Sequence, residues 1–207
     1  MSIVTLNDRA VRSVTAFGSL NTGSMVFIKK LTASSDSTLD FVDGSSSVVL
    51  DSTYKEYVFT LNNMHPQTSG NNPKMTASTN TGSSYGVTAT TTDFRATHDE
   101  SGGSTGLTYR TATDLAQSTD PVHIFGGTGT GNENDECAVG IIHLFNPSST
   151  TFVKHFIART HGYSDDDRAY SNFSAGYFNT TSAIDAIQFA NASGNMDAGD
   201  ICLYGIL

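Results

Sequence analysis

The clearest structural signal in the chain is AVGIIHLF (138–145) and FVKHFIAR (152–159), separated by NPSSTT (146–151). Two β-branched and aromatic runs around a Pro/Ser/Thr turn read as an antiparallel hairpin. Facing Phe145 with Phe152 puts Ile141, His143, Phe145, Phe152, Lys154 and Phe156 on one side. Ile142, Leu144, Val153, His155 and Ile157 fall on the other, so His143 and His155 point oppositely. Both sides are then largely apolar, whereas an antiparallel ribbon normally keeps a polar side toward water. The ribbon is expected to be clad by a second layer or by another subunit. Ile141, His143, Phe145, Phe152 and Phe156 are the candidate interface residues.

Outward from this hairpin, short apolar blocks alternate with turn-forming residues. Upstream, Val11–Phe17, Ser24–Leu31, Ser37–Val42 and Tyr54–Leu61 read as strands. Asp43–Ser47 joins Ser37–Val42 to Val48–Leu50 with hairpin chemistry, and a bulge near Lys55 or Glu56 would reconcile Tyr54 and Tyr57 with alternation. Met75–Thr79 and Tyr85–Thr92 read as a second hairpin around Asn80–Ser84. Weaker strand signals cover Thr108–Thr113 and Val122–Phe125, and Asp114–Gln117 could form a helical turn. Downstream come Ala183–Phe189, a turn through Gly194, and Ile201–Leu207. Ten or more short strands with turns between them predict an all-β antiparallel sandwich.

The composition agrees. The 207 residues (21.9 kDa) include 12 Phe and 8 Tyr but no Trp, and charged residues make up 15%. Such a chain buries roughly 70% of its extended surface, enough for one domain without a disulfide or metal staple. Neither a linker nor a repeat divides it, so residues 1–207 read as a single domain, with 1–31 as an arm or first strands contributing to assembly. Lys+Arg 11 against Asp+Glu 20 gives 11 − 20 = −9, which opposes phosphate neutralisation and argues against a nucleic-acid partner. The N-terminus lacks a basic and apolar leader, and no run approaches the roughly 18 apolar residues of a membrane helix. No membrane partner is expected, and the protein is read as folding in a reducing cytoplasm. Cys137 and Cys202 read as two buried thiols, with a disulfide between them as the alternative.

Sequence patterns for chemistry are sparse. GGTGTG (126–131) lacks the Lys-Ser/Thr ending of a phosphate loop and runs into the acidic NENDE (132–136), so it reads as a loop. Six histidines show no zinc spacing. Asp165, Asp166 and Asp167 are weak calcium candidates, because three consecutive aspartates cannot all converge on one ion. There is no serine-nucleophile elbow and no singled-out carboxylate pair; no enzyme, cofactor or metal site is expected. Tyr163, Tyr170 and Tyr177 are glycan-stacking candidates, against the reading that Phe173, Tyr177 and Phe178 are strand core.

Two stretches carry a family likeness. YKEYVF (54–59), then Pro66 and TNTGSSY (79–85), is similar to small virion structural proteins of tailed bacteriophages. AIDAIQF (183–189) followed by SGNMDAGDICLYGI (193–206) resembles them more strongly: an apolar strand, a glycine-bounded turn, and a last strand ending Leu-Tyr-Gly-Ile. The likeness spans most of Ser37–Leu207, and the block through Leu31 resembles relatives from marine phages. It implies a jelly-roll-like sandwich located on the virion. The partners implied are copies of itself, a trimer among the symmetries, and other phage structural proteins. A tail or fibre-associated place is preferred, with capsid decoration and host-glycan recognition as alternatives. Thr81 stands where an acidic residue is common in that turn, which speaks against a metal there.

Overall fold

The computed structural model describes residues 24–125 and 129–207. The expected strand Val11–Phe17 and residues 126–128 of the glycine-rich loop lie outside them. Among the described residues there are twelve strands and no helix. They are β1 (Met25–Thr32), β2 (Thr38–Val42), β3 (Glu56–Pro66), β4 (Pro73–Ser78), β5 (Ala89–Asp99) and β6 (Thr105–Tyr109). After them come β7 (Val122–His123), β8 (Ala138–Phe145), β9 (Lys154–Ser164), β10 (Arg168–Phe178), β11 (Ala186–Asn191) and β12 (Met196–Ile206).

The pairings nest. β1 pairs with β12 and β2 with β11, while β3 pairs with β8 and β4 with β7. A long hairpin rolled up in this way splits its eight strands between two sheets, β1-β12-β3-β8 and β2-β11-β4-β7, which is the jelly roll. The first sheet then continues past β8 through β9, β10, β5 and β6 to eight strands. At the opposite, β1 edge Leu207 N donates to Ser24 O at 2.9 Å, extending the β1–β12 pairing.

The two sheets enclose an apolar core, because alternation sends Tyr57, Phe59 and Leu61 of β3, Ile142 and Leu144 of β8, and Ile201 and Leu203 of β12 inward. Phe41, Phe59 and Phe189 meet edge to face at its centre, with ring centroids 5.3–6.1 Å apart. Phe59 comes from the large sheet and the other two from the small one, so this trio holds the layers together.

At and beyond the β7 edge of the small sheet, residues 110–125 lie over the inner face of β5, β9 and β10. Irregular backbone needs hydrogen-bond partners when it is covered, and the inner face supplies them. Leu115 N donates to Thr91 Oγ1 at 2.8 Å, Thr160 Oγ1 to Ile124 O at 2.5 Å, and Ser174 Oγ to His123 O at 3.2 Å. The Asp93 carboxylate accepts from Thr113 Oγ1 and Ser174 Oγ, and burial raises its pKa in spite of them. Lys154, fully buried, donates to Thr180 O and Ser182 O at 3.1 and 2.5 Å and so pins the β10–β11 connection.

Several expectations are corrected. β4 and β5 belong to different sheets, so Asn80–Ser84 turns the chain without making a hairpin. Val48 and Leu50 are core residues, but they form no strand, and β2 takes β11 as its partner. The irregularity in β3 lies between Leu61 and Met64, where Asn63 has φ 49°, not at Lys55 or Glu56. Residues 114–117 are not helical; Leu115 O instead accepts from Thr91 N. Both cysteines are free thiols, Cys202 buried and Cys137 half-buried.

Candidate interaction face

The β8–β9 hairpin forms as expected, but in a different register, and it lies between β3 and β10. Leu144 faces Phe156 and His143 faces Ile157, so Phe145 falls opposite His155. Phe156 and Lys154 therefore point into the molecule and are buried, and Phe156 is not an interface residue. Phe152 lies in the loop before β9, off the sheet, 69% exposed. Ile141, His143 and Phe145 do face outward, and His155 joins His143 on that side instead of opposing it.

With the register set, the outer face of the eight-stranded sheet can be read row by row. One row runs Phe27, Tyr204, Val58, His143, Ile157, Ala175, Thr92. The next runs Lys30, Cys202, Thr60, Ile141, Arg159, Phe173, Phe94, Tyr109. Phe94 and Phe173 stack almost parallel, 4.9 Å between centroids and 5° between planes, and the Arg159 guanidinium lies 5.2 Å from the Phe173 ring. Phe27 packs edge-on to Tyr204 at 5.6 Å. Phe27, Phe94, Leu107, Tyr109, Val139 and Ile157 remain open to solvent, Ile157 at 54%. No expectation had placed Val139, Phe94, Arg159 or Leu107 on this face, although the alternation Phe94-Ala96-His98 was available as a signal.

Charge on the face nearly cancels. Its paired register positions hold Lys30 and Arg159 against Glu56 and Asp200, 2 − 2 = 0, and Asp197 at the start of β12 adds one carboxylate that is paired with His65. Three of the first four are already engaged: Lys30 with Asp200 at 3.2 Å, and Glu56 with His143 Nδ1 at 2.5 Å. His98, His143, His155 and His161, four of the six histidines, lie here.

Two shallow dents flank the ridge formed by Ile157 and Arg159. One, about 530 Å³, is lined by Thr60, Val139, Ile141, Arg159 and Ser171. The other, about 460 Å³, is walled by Phe145, His155, Ile157 and Tyr177 around the small Ala175. Gln117 Nε2 donates to Tyr177 Oη at 3.3 Å, and Asn179 Nδ2 to Gln117 Oε1 at 2.5 Å, beside the second dent.

The three tyrosines do not form one platform. Tyr170 is fully buried under the Arg95 guanidinium, which removes it as a sugar-stacking ring. Tyr163 and Tyr177 both face outward but pair with Ala169 and His155, near opposite ends of the β9–β10 hairpin. Tyr163 Oη donates to Asp167 at 3.1 Å. Of the aspartates, Asp166 turns inward to accept from Tyr170 Oη and Ser164 Oγ and to pair with Arg168 at 3.1 Å. Asp165 and Asp167 are exposed. Among the described residues no group of three or more His, Cys, Asp or Glu side chains is arranged to hold a metal.

A separate depression of about 400 Å³ holds His65, Asp197, Asn63, Asn134 and Cys137. His65 Nδ1 lies 2.6 Å from Asp197 Oδ1 and Nε2 3.0 Å from Glu133 O. Burial acts to lower the His65 pKa, but the Asp197 carboxylate and the Glu133 carbonyl outweigh it and raise the value. Cys137 Sγ points to Asn63 Oδ1 at 3.9 Å. With both imidazole nitrogens engaged by oxygen acceptors, His65 is not placed as a base for the thiol.

Comparison with protein-family models, with curated proteins and with solved structures gives no match.

Proposed function

We propose that this chain is a non-enzymatic structural protein of a bacteriophage virion, a jelly-roll building block used in many copies. A tail or fibre-associated place is preferred to capsid decoration. The observation that carries the reading is the outer face of the eight-stranded sheet: rich in exposed apolar and aromatic side chains, with its charges mutually paired, and uncovered by the other described residues. Large apolar side chains gathered on one exposed face mark an interaction site. The likeness of residues 54–59 and 183–206 to phage virion proteins supports the same reading.

The test is the particle. Mass spectrometry and antibody labelling of purified virions from the phage encoding this chain should find it in stoichiometric amounts at a fixed position. Its restriction to the infected-cell lysate would refute the reading.

The dent beside Tyr177 favours one second reading, recognition of a neutral host glycan, since an aromatic wall next to the Gln117 and Asn179 amides suits a sugar ring. A glycan array scored with the chain and with Tyr177→Ala tests it. Tyr170 has no part in that reading.

A further inference from the structure

From the relief and charge of the outer sheet face we infer that its occupant is a second copy of this chain, packed face to face. This rests on the multi-copy reading above and names the partner for it.

Three observations carry it. The first is charge. Two copies at −9 repel, and an interface between them is least costly where opposite charges nearly cancel and are already paired, as they are on this face. Nor would the charged groups go into the contact bare: Lys30 and Asp200 are mutually paired, Glu56 holds His143, and Arg159 lies over Phe173.

The second is area. Eight strands at ~4.8 Å spacing, sharing roughly seven residues at ~3.3 Å rise, make a face of about 34 Å by 23 Å, on the order of 800 Å². That matches the ~800 Å² per partner that a stable specific interface buries.

The third is relief. The Ile157–Arg159 ridge stands between two dents of about 530 and 460 Å³. A surface with a ridge flanked by hollows can be its own complement under a two-fold axis, each copy's Ile157 seating in a hollow of the other. Sheets stacked in this way pack about 10 Å apart.

The experiment is sedimentation velocity on the full 207-residue chain up to about 100 µM, well above the micromolar Kd expected of an interface this size. The unmodified protein should sediment with the mass of at least two copies. Ile157→Glu and Val139→Glu, both at exposed positions, should weaken association at least tenfold and yield single copies with an unchanged circular dichroism spectrum. Phe152→Glu, off the face, should keep the unmodified mass. Hydroxyl-radical footprinting of the unmodified chain gives a readout independent of substitution: Ile157 and Phe27 should lose reactivity as concentration rises. A single-copy mass throughout, an oligomer that both face variants retain, or reactivity that does not change with concentration would each overturn the inference. A chain found in virions yet single-copy in solution sinks the face-to-face contact and leaves the virion reading standing; a face-paired chain absent from virions does the reverse.

Discussion

Arg95 lies flat on Tyr170, its guanidinium carbon 3.7 Å from the ring centroid, and the Tyr170 hydroxyl reaches both oxygens of Asp166 at 3.0 Å. A cation on β5, an aromatic ring on β10 and a carboxylate in the β9–β10 turn are thus linked in series, which ties that turn to β5. Tyr170→Phe keeps the ring under Arg95 but leaves the Asp166 carboxylate short of a donor. The expected cost is about 1–3 kcal/mol, from hydrogen bonding to a charged acceptor. Tyr177→Phe, on the outer face, should cost under about 0.5 kcal/mol. Urea denaturation of the two variants checks the contrast.

Phe59 joins the two sheets through Phe41 and Phe189. Phe59→Ala opens a cavity at that junction and should cost about 3–5 kcal/mol, a large share of the roughly 5–15 kcal/mol that holds a domain folded. Phe152→Ala, on an exposed loop, should leave the thermal midpoint unchanged. Calorimetry on both decides it.

His123 contributes an acid-sensitive element. Burial first, then the nearby Lys74 and Arg110 charges, lower its pKa to about 4. The folded state thus holds the imidazole neutral, while the unfolded chain protonates it near 6.5. Its stabilising effect is complete above about pH 6.5 and is lost as pH falls toward about 4. Since the ring keeps some solvent contact, the loss should be about 1–2 kcal/mol, below what full linkage would give. His123→Gln should flatten the pH dependence of the urea midpoint across that window.

His65 behaves oppositely. Its raised pKa makes the His65–Asp197 pair stabilising below about pH 6.5, and the contribution fades as pH rises through the folded-state value. Asp197→Asn should therefore destabilise the protein more at pH 6 than at pH 9, and equal losses at the two pH values would contradict the assignment.

Some of this architecture was readable in the chain and some was hidden for physical reasons. The β8–β9 hairpin stood out because both strands are rich in β-branched and aromatic residues, but its turn residues do not fix loop length. Placing Phe145 opposite Phe152 instead of His155 moved Phe156 and Lys154 to the wrong side, as an odd register slip must. β10 was harder still. Its inner positions, Asn172 and Ser174, are polar because an irregular segment covers them, while Phe173 and Tyr177 face out. A strand polar inside and aromatic outside inverts the usual alternation, so Phe173 and Tyr177 read as core. Asn80–Ser84 was recognised correctly as a turn, yet turn chemistry says nothing about which sheet receives the next strand.

The union of β1 with β12 also governs how the chain reaches its native state. Met25 and Ile206 are partners across nearly the whole described length, so that seam cannot close until the last strand has been synthesised. The meander β8–β9–β10 needs only contiguous segments and can form early. Such remote pairings place refolding in the millisecond-to-second regime typical of all-β domains. They also leave the eight-stranded sheet open along its β12 position while translation continues, an interval in which association with a neighbouring chain competes with closure.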